Sequence, residues 1–169
     1  MKIAKLTGAD IKQQAQVHAA AFCRAYRGIL PDSFLAHFTV EKREAFFSKE
    51  FEKYKDTYTI KDGEKLAGFS TIGSCRDDEF TPGQKVGEVW GIYIHPDYQG
   101  KGYGSKLFGY VVTELKKRGY QTVKLWVLDA NRQARAFYEK KGFFPDGADK
   151  ELDFKEEGKV LEVRYSKNI

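Results

Sequence analysis

Three glycines placed between a strand pattern and a helix pattern constrain this chain most. They lie in the turn Gln99-Gly100-Lys101-Gly102-Tyr103-Gly104-Ser105. Upstream, residues 85–94 read as a strand that His95-Pro96 ends, because proline cannot donate to a ladder. Downstream, Leu107, Phe108, Val111, Val112 and Leu115 recur at helical spacing over 102–118, with Gly119 as the stop. Glycine admits unusual φ values and lets a ligand approach the backbone closely. Unpaired amides at a helix start, with the helix dipole, attract an anion, and Lys101 and Lys106 add positive charge. A dinucleotide fingerprint would need glycine at 105 or 107, where Ser105 and Leu107 stand. A nucleotide P-loop would need Gly-Lys-Ser/Thr after a four-residue gap, which is also missing. A turn without a ligand needs fewer glycines than three in five positions, so the turn reads as a phosphate site.

The rest of the chain fits one domain over residues 1–169. Hydrophobic residues make up 41% and charged residues 31%, an ordinary soluble balance. No apolar run approaches the ~18 residues of a membrane span, and the first residues lack a signal-peptide core, so a cytoplasmic protein with no membrane partner is expected. Cys23 and Cys75 sit in no metal or redox spacing, and His18, His37 and His95 do not cluster with them, so no metal is expected. The net charge of +5 is spread along the chain rather than gathered in a basic tract, which argues against nucleic acid.

Periodicity predicts a strand over 2–6, then a Thr7/Asp10 capping pair and a helix with Ile11, Ala15, His18, Ala19, Phe22 and Tyr26 on one face. His18 on that apolar face reads as a core histidine. Helices over 32–38 and 41–54 follow, then a hairpin of 57–61 and 66–74 about Asp62-Gly63. A polar loop over 76–83 leads to the strand before the glycine turn. A strand over Thr122–Leu128, a helix over 131–141 ended by Gly142, and short strands at 143–144 and 160–165 around a charged loop complete the order. Hairpins mixed with βαβ crossovers indicate an α/β (α+β) fold.

Two blocks of this sequence resemble the GNAT superfamily of N-acetyltransferases. Gln99, Gly102 and Gly104 fill the family's Gln/Arg-x-x-Gly-x-Gly/Ala motif. The run Asn131-Arg132-Gln133-Ala134-Arg135-Ala136-Phe137-Tyr138-Glu139-Lys140-Lys141-Gly142-Phe143 resembles its asparagine-to-Phe-Tyr-x-x-x-Gly-Phe helix. The resemblance implies a mixed, mostly antiparallel, twisted sheet of six to seven strands flanked by four to five helices, with a splayed central parallel pair formed by 88–94 and 122–128. It implies acetyl-CoA as cosubstrate, with pantetheine on the backbone of Ile92, Tyr93 and Ile94. The pyrophosphate would lie on Gln99, Gly100, Lys101, Gly102, Tyr103, Gly104 and Ser105, with Asn131 and Tyr138 also facing the cofactor. A homodimer is compatible with it.

The chemistry then needs a neutral amine, and a lysine-like amine titrates near ~10.4, so a base or desolvation must help. Glu88 is the candidate base, direct or through water, at a position resembling the catalytic glutamate of some family members. Strand alternation gives Glu88, Trp90, Ile92 and Ile94 a common face unless a bulge intervenes. Tyr138 is the candidate acid for the departing thiolate, and Asn131, Ala134 and Tyr138 share one helical face. A backbone N–H near Ile94 would hold the oxyanion.

For the acceptor, acidic residues over 145–158 and Asp77-Asp78-Glu79 suggest a cationic small molecule such as a polyamine, or a peptide amine. Phe22, Tyr26, Phe34 and Trp90 are candidate lining for its pocket. Two other readings stand beside this one: a domain that senses acetyl-CoA without turnover, and a nucleotide-binding protein, for which Asp129 speaks and the glycine spacing does not.

Overall fold

A computed structural model describes residues 1–77 and 85–169. The first strand is β1 (Lys2–Lys5). The Thr7/Asp10 pair forms: the Asp10 carboxylate accepts from the Thr7 amide at 2.9 Å and from its hydroxyl at 2.8 Å. It also takes the Lys61 ammonium at 2.6 Å, which pins the start of α1 (Ile11–Tyr26) to the sheet. The next two helices, α2 (Asp32–Leu35) and α3 (Val40–Lys49), are shorter than periodicity predicts. A helix continued to 54 would carry Tyr54 about 10 Å along its axis from Phe47. Turns instead bring the Tyr54 ring back to 6.2 Å from Phe47 and 5.6 Å from Phe46.

The hairpin of β2 (Thr57–Asp62) and β3 (Lys65–Ser74) forms, with its turn one residue later than predicted. Asp62 pairs with Lys65, and the positive φ of +56° falls on Gly63, so the glycine sets the register. There follow β4 (Val86–Ile94), α4 (Tyr103–Lys117), β5 (Thr122–Leu128) and α5 (Arg132–Glu139), in the expected order.

The tail departs most from expectation. Where a charged loop between two short strands was predicted, β6 (Phe144–Asp153) and β7 (Lys159–Asn168) form a long antiparallel hairpin. β6 is the sheet edge and almost wholly exposed, so its residues need no apolar alternation. Opposite charges bind its face: Lys150 meets Glu162 at 3.3 Å and Lys159 meets Glu151 at 2.7 Å.

The seven strands of the described residues run in the order β1-β2-β3-β4-β5-β7-β6, and among them only β4 and β5 are parallel. This is the mixed, mostly antiparallel sheet expected, with five α-helices around it among the described residues. β4 and β5 pair only from Val86↔Thr122 to Glu88↔Lys124 and then part, which opens a gap at the sheet's centre. On one face α4 lays Leu107, Phe108, Val111 and Leu115 over Ile60, Ile72, Val89, Val123 and Leu125. Each such side chain contributes about 1.5–3 kcal/mol by burial. On the other face α1 and α3 cover Leu66 and Phe69. None of the described helices is long and apolar enough to cross a membrane.

A bulge in β4 breaks its alternation. Gly91 stands opposite Thr71 and Val89 opposite Ile72, so Trp90 is the extra residue. Val89, Ile92 and Ile94 therefore share the α4 face. Glu88 pairs with Gly73, over which the Trp90 ring lies, and these two face the α1/α3 side with Tyr93. The common face expected for Glu88, Trp90, Ile92 and Ile94 does not exist.

Candidate active site

The gap between β4 and β5 continues into a cavity of about 590 Å³. Its walls hold Ile92, Tyr93 and Ile94 of β4 and, from the turn, Gln99, Gly100, Gly102, Gly104 and Ser105. The start and face of α5 add Asn131, Ala134 and Tyr138. The sequence-predicted cofactor residues are thus brought together with two exceptions. Tyr103 is buried in the core, its ring 5.1 Å from Tyr98, and Lys101 is exposed and not part of the wall. The two side chains lie off the wall because a helix start turns successive residues to different sides.

The local geometry of the turn follows from its residues. The Gln99 side-chain amide donates to the Ile94 carbonyl at 3.0 Å, fastening the turn to the end of β4. Gly100 and Gly102 have φ of +72° and +85°, values that L side chains rarely adopt, and Gly102 is the N-cap of α4. No atom stands within 4 Å of where their Cβ atoms would be, so the surface there is bare backbone. Helix-start amides beside such a surface suit a phosphate group.

The second block builds the opposite wall. Asn131 caps α5 by accepting from the Ala134 amide at 3.1 Å, which leaves its NH₂ group for the cavity. Arg135 binds Tyr165 at 2.9 Å and the Asp129 carboxylate, and Tyr165 donates to Glu139 at 2.8 Å, so α5 is held at both ends. Gly142, at φ +79°, then turns the chain so that Phe143 enters the core. The rings of Phe137, Tyr138 and Phe143 stand 5.3–5.6 Å from Phe108 of α4. These contacts lock the helix of the glycine turn to the helix of Tyr138.

Tyr138 is buried, and no hydrogen bond to its hydroxyl is found among the described residues. Burial pushes its phenol well above the ordinary value, and Tyr93 adds to that shift, so the proton stays on. The group is a neutral O–H donor facing a cavity.

Glu88 is placed differently. It is 1% exposed and not part of the cavity wall. Arg76 takes both of its oxygens: the backbone amide donates to Oε2 at 2.9 Å and Nε donates to Oε1 at 3.1 Å, with the guanidinium's second arm on Oε1.

Several wall residues carry no motif: Ala21, Arg24, Ala25 and Tyr26 of α1, and Trp126 and Val127 of β5; Gln133 and Phe137 of α5, also on the wall, belong to the second block. The β5 pair follows from the split, since residues past Lys124 have no β4 partner. Of the aromatics expected around an acceptor, Tyr26 lines this cavity, whereas Phe22, Phe34 and Trp90 do not. The acidic segments are largely spent on the protein itself. Arg164 holds Asp146 at 2.9 Å and Asp77 at 3.0 Å, and Asp77 accepts from the Trp126 indole at 3.2 Å. Burial pushes Asp77 up, but Arg164 and Trp126 win and leave it below the ordinary carboxylate range. Asp78 and Glu79 lie outside the described residues. No group of three or more histidine, cysteine, aspartate or glutamate side chains able to hold a metal occurs among the described residues.

The chain shares 34% identity over 108 residues with the [ribosomal protein bS18]-alanine N-acetyltransferase of Escherichia coli, covering 64% of this chain and 67% of that one. It shares 38% over 60 residues with an uncharacterized N-acetyltransferase of Methanocaldococcus jannaschii, 36% of this chain and only 26% of that protein's length. The fold matches the PaiA N-acetyltransferase of Thermoplasma acidophilum, solved in complex with coenzyme A, with a TM-score of 0.65 at 21% identity over 97% of this chain and 98% of that one. The family model for the acetyltransferase (GNAT) family matches residues 20–143. The chain belongs to the GNAT family of acetyltransferases.

Proposed function

We propose that the protein transfers the acetyl group of acetyl-CoA to a primary amine by direct attack within a ternary complex. The observation that carries this reading is the convergence of the glycine turn, the parted strands and the Tyr138 hydroxyl on one cavity of about 590 Å³. In this reading the pyrophosphate rests on the backbone from Gly100 to Ser105, and the pantetheine bonds the free edge of β4 at Ile92 and Ile94. The thioester then lies near Tyr138. The amine attacks the carbonyl carbon, a β4 amide near Ile94 steadies the oxyanion, and the C–S bond breaks as Tyr138 gives its proton to the departing sulfur.

The amine must lose one proton to attack and another as the amide forms. Glu88 as the base, direct or through water, predicts that Glu88→Gln slows turnover most at low pH, where free amine is scarce. The bonds from Arg76 to both Glu88 oxygens favour a different assignment. In it Glu88 anchors the bulge that sets Tyr93 and Ile92, one amine proton leaves to water at the open mouth, and the other returns by way of water to the Tyr138 oxygen that protonated the sulfur. Glu88→Gln then keeps the shape of the pH–rate profile.

The acceptor is a primary amine. Internal pairing of Asp77 and Asp146 with Arg164 weakens the case for a polyamine. The name of the E. coli relative supports a peptide or protein amine. Turnover of Tyr138→Phe with a reactive amine tests the assignment. A loss of about 10²–10⁴-fold in kcat with unchanged coenzyme A binding is expected for a general acid. Full turnover at every pH would remove Tyr138 from the mechanism.

A further inference from the structure

Behind Tyr93, on the α1/α3 side of the sheet, lies a second cavity of about 130 Å³. Its walls include His18, Arg43, Phe46, Phe47, Tyr54 and Tyr93. Among the described residues, the buried side-chain polar atoms without a hydrogen-bond partner belong to three side chains: Gln14, His18 and Arg43. Both ring nitrogens of His18 and the Nε of Arg43 are in this group, and both side chains face the cavity. Buried polar atoms left without partners cost free energy, so two such groups on one small cavity mark a place built for a polar guest.

The charge of the wall says which guest. Arg76, also on this wall, is neutralised by Glu88. No ion pair to Arg43 occurs among the described residues; its guanidinium lies over the Phe46 ring at 4.2 Å, with Phe38 at 5.0 Å and Phe47 at 5.2 Å. The His18 ring is enclosed by Tyr93 at 4.3 Å, Phe47 at 5.4 Å and Phe69 at 5.8 Å. Burial, helped by the charge of Arg43, pulls the imidazole down to about 3, so it is neutral and offers one N–H. The cavity thus combines an uncompensated cation, a second donor and aromatic walls. An engineered apolar cavity of about 150 Å³ takes one benzene molecule, which sets the size of guest.

We propose that this cavity binds a small carboxylate with an apolar body, its oxygens accepting from the Arg43 Nε–H and the His18 ring N–H. The proposal rests on this cavity's own geometry and not on the transfer reaction. The carboxylate arrives either as a free small acid or as part of an acceptor whose amine reaches past Tyr93, the residue that both cavities share.

The test titrates the full chain, with labelled histidine side chains, against butyrate and benzoate and against butyramide and benzamide. The His18 signal is assigned with His18→Phe. Saturable shifts of His18 with the acids, and affinity at least about tenfold weaker for the amides, are expected from a charge-assisted bond. Arg43→Met, which keeps the apolar stem, is expected to weaken the acids to the level of the amides, and Arg43→Lys to restore part of the difference. Equal binding of acid and amide by the unaltered protein overturns the proposal, as does the absence of any His18 shift. Acid binding undiminished in folded Arg43→Met overturns it too. Thiol-release kinetics separate the two sources. Benzoate competing with an amino-carboxylate acceptor identifies the acceptor's own carboxylate, and saturable benzoate binding that leaves its KM unchanged identifies a free acid.

Discussion

Replacing Arg76 and replacing Glu88 are expected to have unequal consequences, and the inequality follows from burial. The Glu88 carboxylate is 1% exposed, whereas the Arg76 side chain is 52% exposed. Arg76→Met leaves a buried carboxyl group with only a backbone amide to receive it. Stripping a buried carboxylate of its charge partner in this way costs about 3–5 kcal/mol. For a chain of this size each kcal/mol moves Tm by about 2–4 °C, so the variant is expected to melt about 6–20 °C lower. Glu88→Gln keeps the shape and an acceptor oxygen for the Arg76 amide, and the stranded guanidinium is free to take up water. Its cost is about 1–2 kcal/mol, or a Tm lower by about 2–8 °C. Arg76→Met combined with Glu88→Leu removes both charges and is expected to recover most of the first loss. Thermal unfolding of the four proteins at pH 7 in one buffer reads this. If Arg76→Met melts no lower than Glu88→Gln, the carboxylate is not held as described, and the argument against Glu88 as a base loses its footing.

Three further outcomes follow from the same structure. His18 is neutral and buried with its folded value near 3, below its ordinary 6.5. A depressed group adds stability above the unfolded value that is lost as pH falls through the folded one, so denaturant midpoints are expected to decline from pH 6.5 towards 3. Each unit corresponds to about 1.4 kcal/mol at most. His18→Phe is expected to flatten that limb, and an unchanged slope contradicts it. Asp10 is also lowered: burial raises it, but Lys61 and Thr7 prevail. Asp10→Asn is therefore expected to cost about 1.5–3 kcal/mol at pH 7, with the deficit fading as pH falls through 3.8 and below. Gly102→Val places a branched side chain at φ +85° on the bare surface of the turn. Loss of at least about 1 kcal/mol of stability and of measurable coenzyme A binding is expected; binding retained by calorimetry would move the phosphate site elsewhere.

The legible parts of this chain were those where one local rule acts alone. Positive φ at Gly100 and Gly102 demands glycine, and the Phe137/Tyr138/Phe143 spacing is the imprint of three rings around Phe108. The Trp90 bulge left no such mark, because Val86–Ile94 is rich in apolar residues on both sides of it and only pairing with Thr71 and Ile72 exposes the extra residue. That single insertion puts Glu88 and Ile92 on opposite faces of the sheet, and only Ile92 reaches the cavity between the parted strands. β6 was hidden for the opposite reason: an edge strand held by backbone bonds and ion pairs carries no apolar period. α3 ends before periodicity predicts because ring contacts of Tyr54, made through turns, outweigh the helical propensity of the intervening residues. Lys101 and Tyr103 belong to the turn by sequence but not to the cavity wall, since a helix start fans its side chains outward.

The central claim is that the cavity between the parted strands moves an acetyl group from acetyl-CoA to a primary amine. Thiol release from acetyl-CoA, measured across a panel of peptide amines, amino carboxylates and small amines with the unaltered protein, tests it most directly. Release that depends on and saturates with at least one amine, well above hydrolysis without amine, is the predicted result. Saturable acetyl-CoA binding with no amine-dependent release from any of them would contradict it and leave a binding domain without transferase activity.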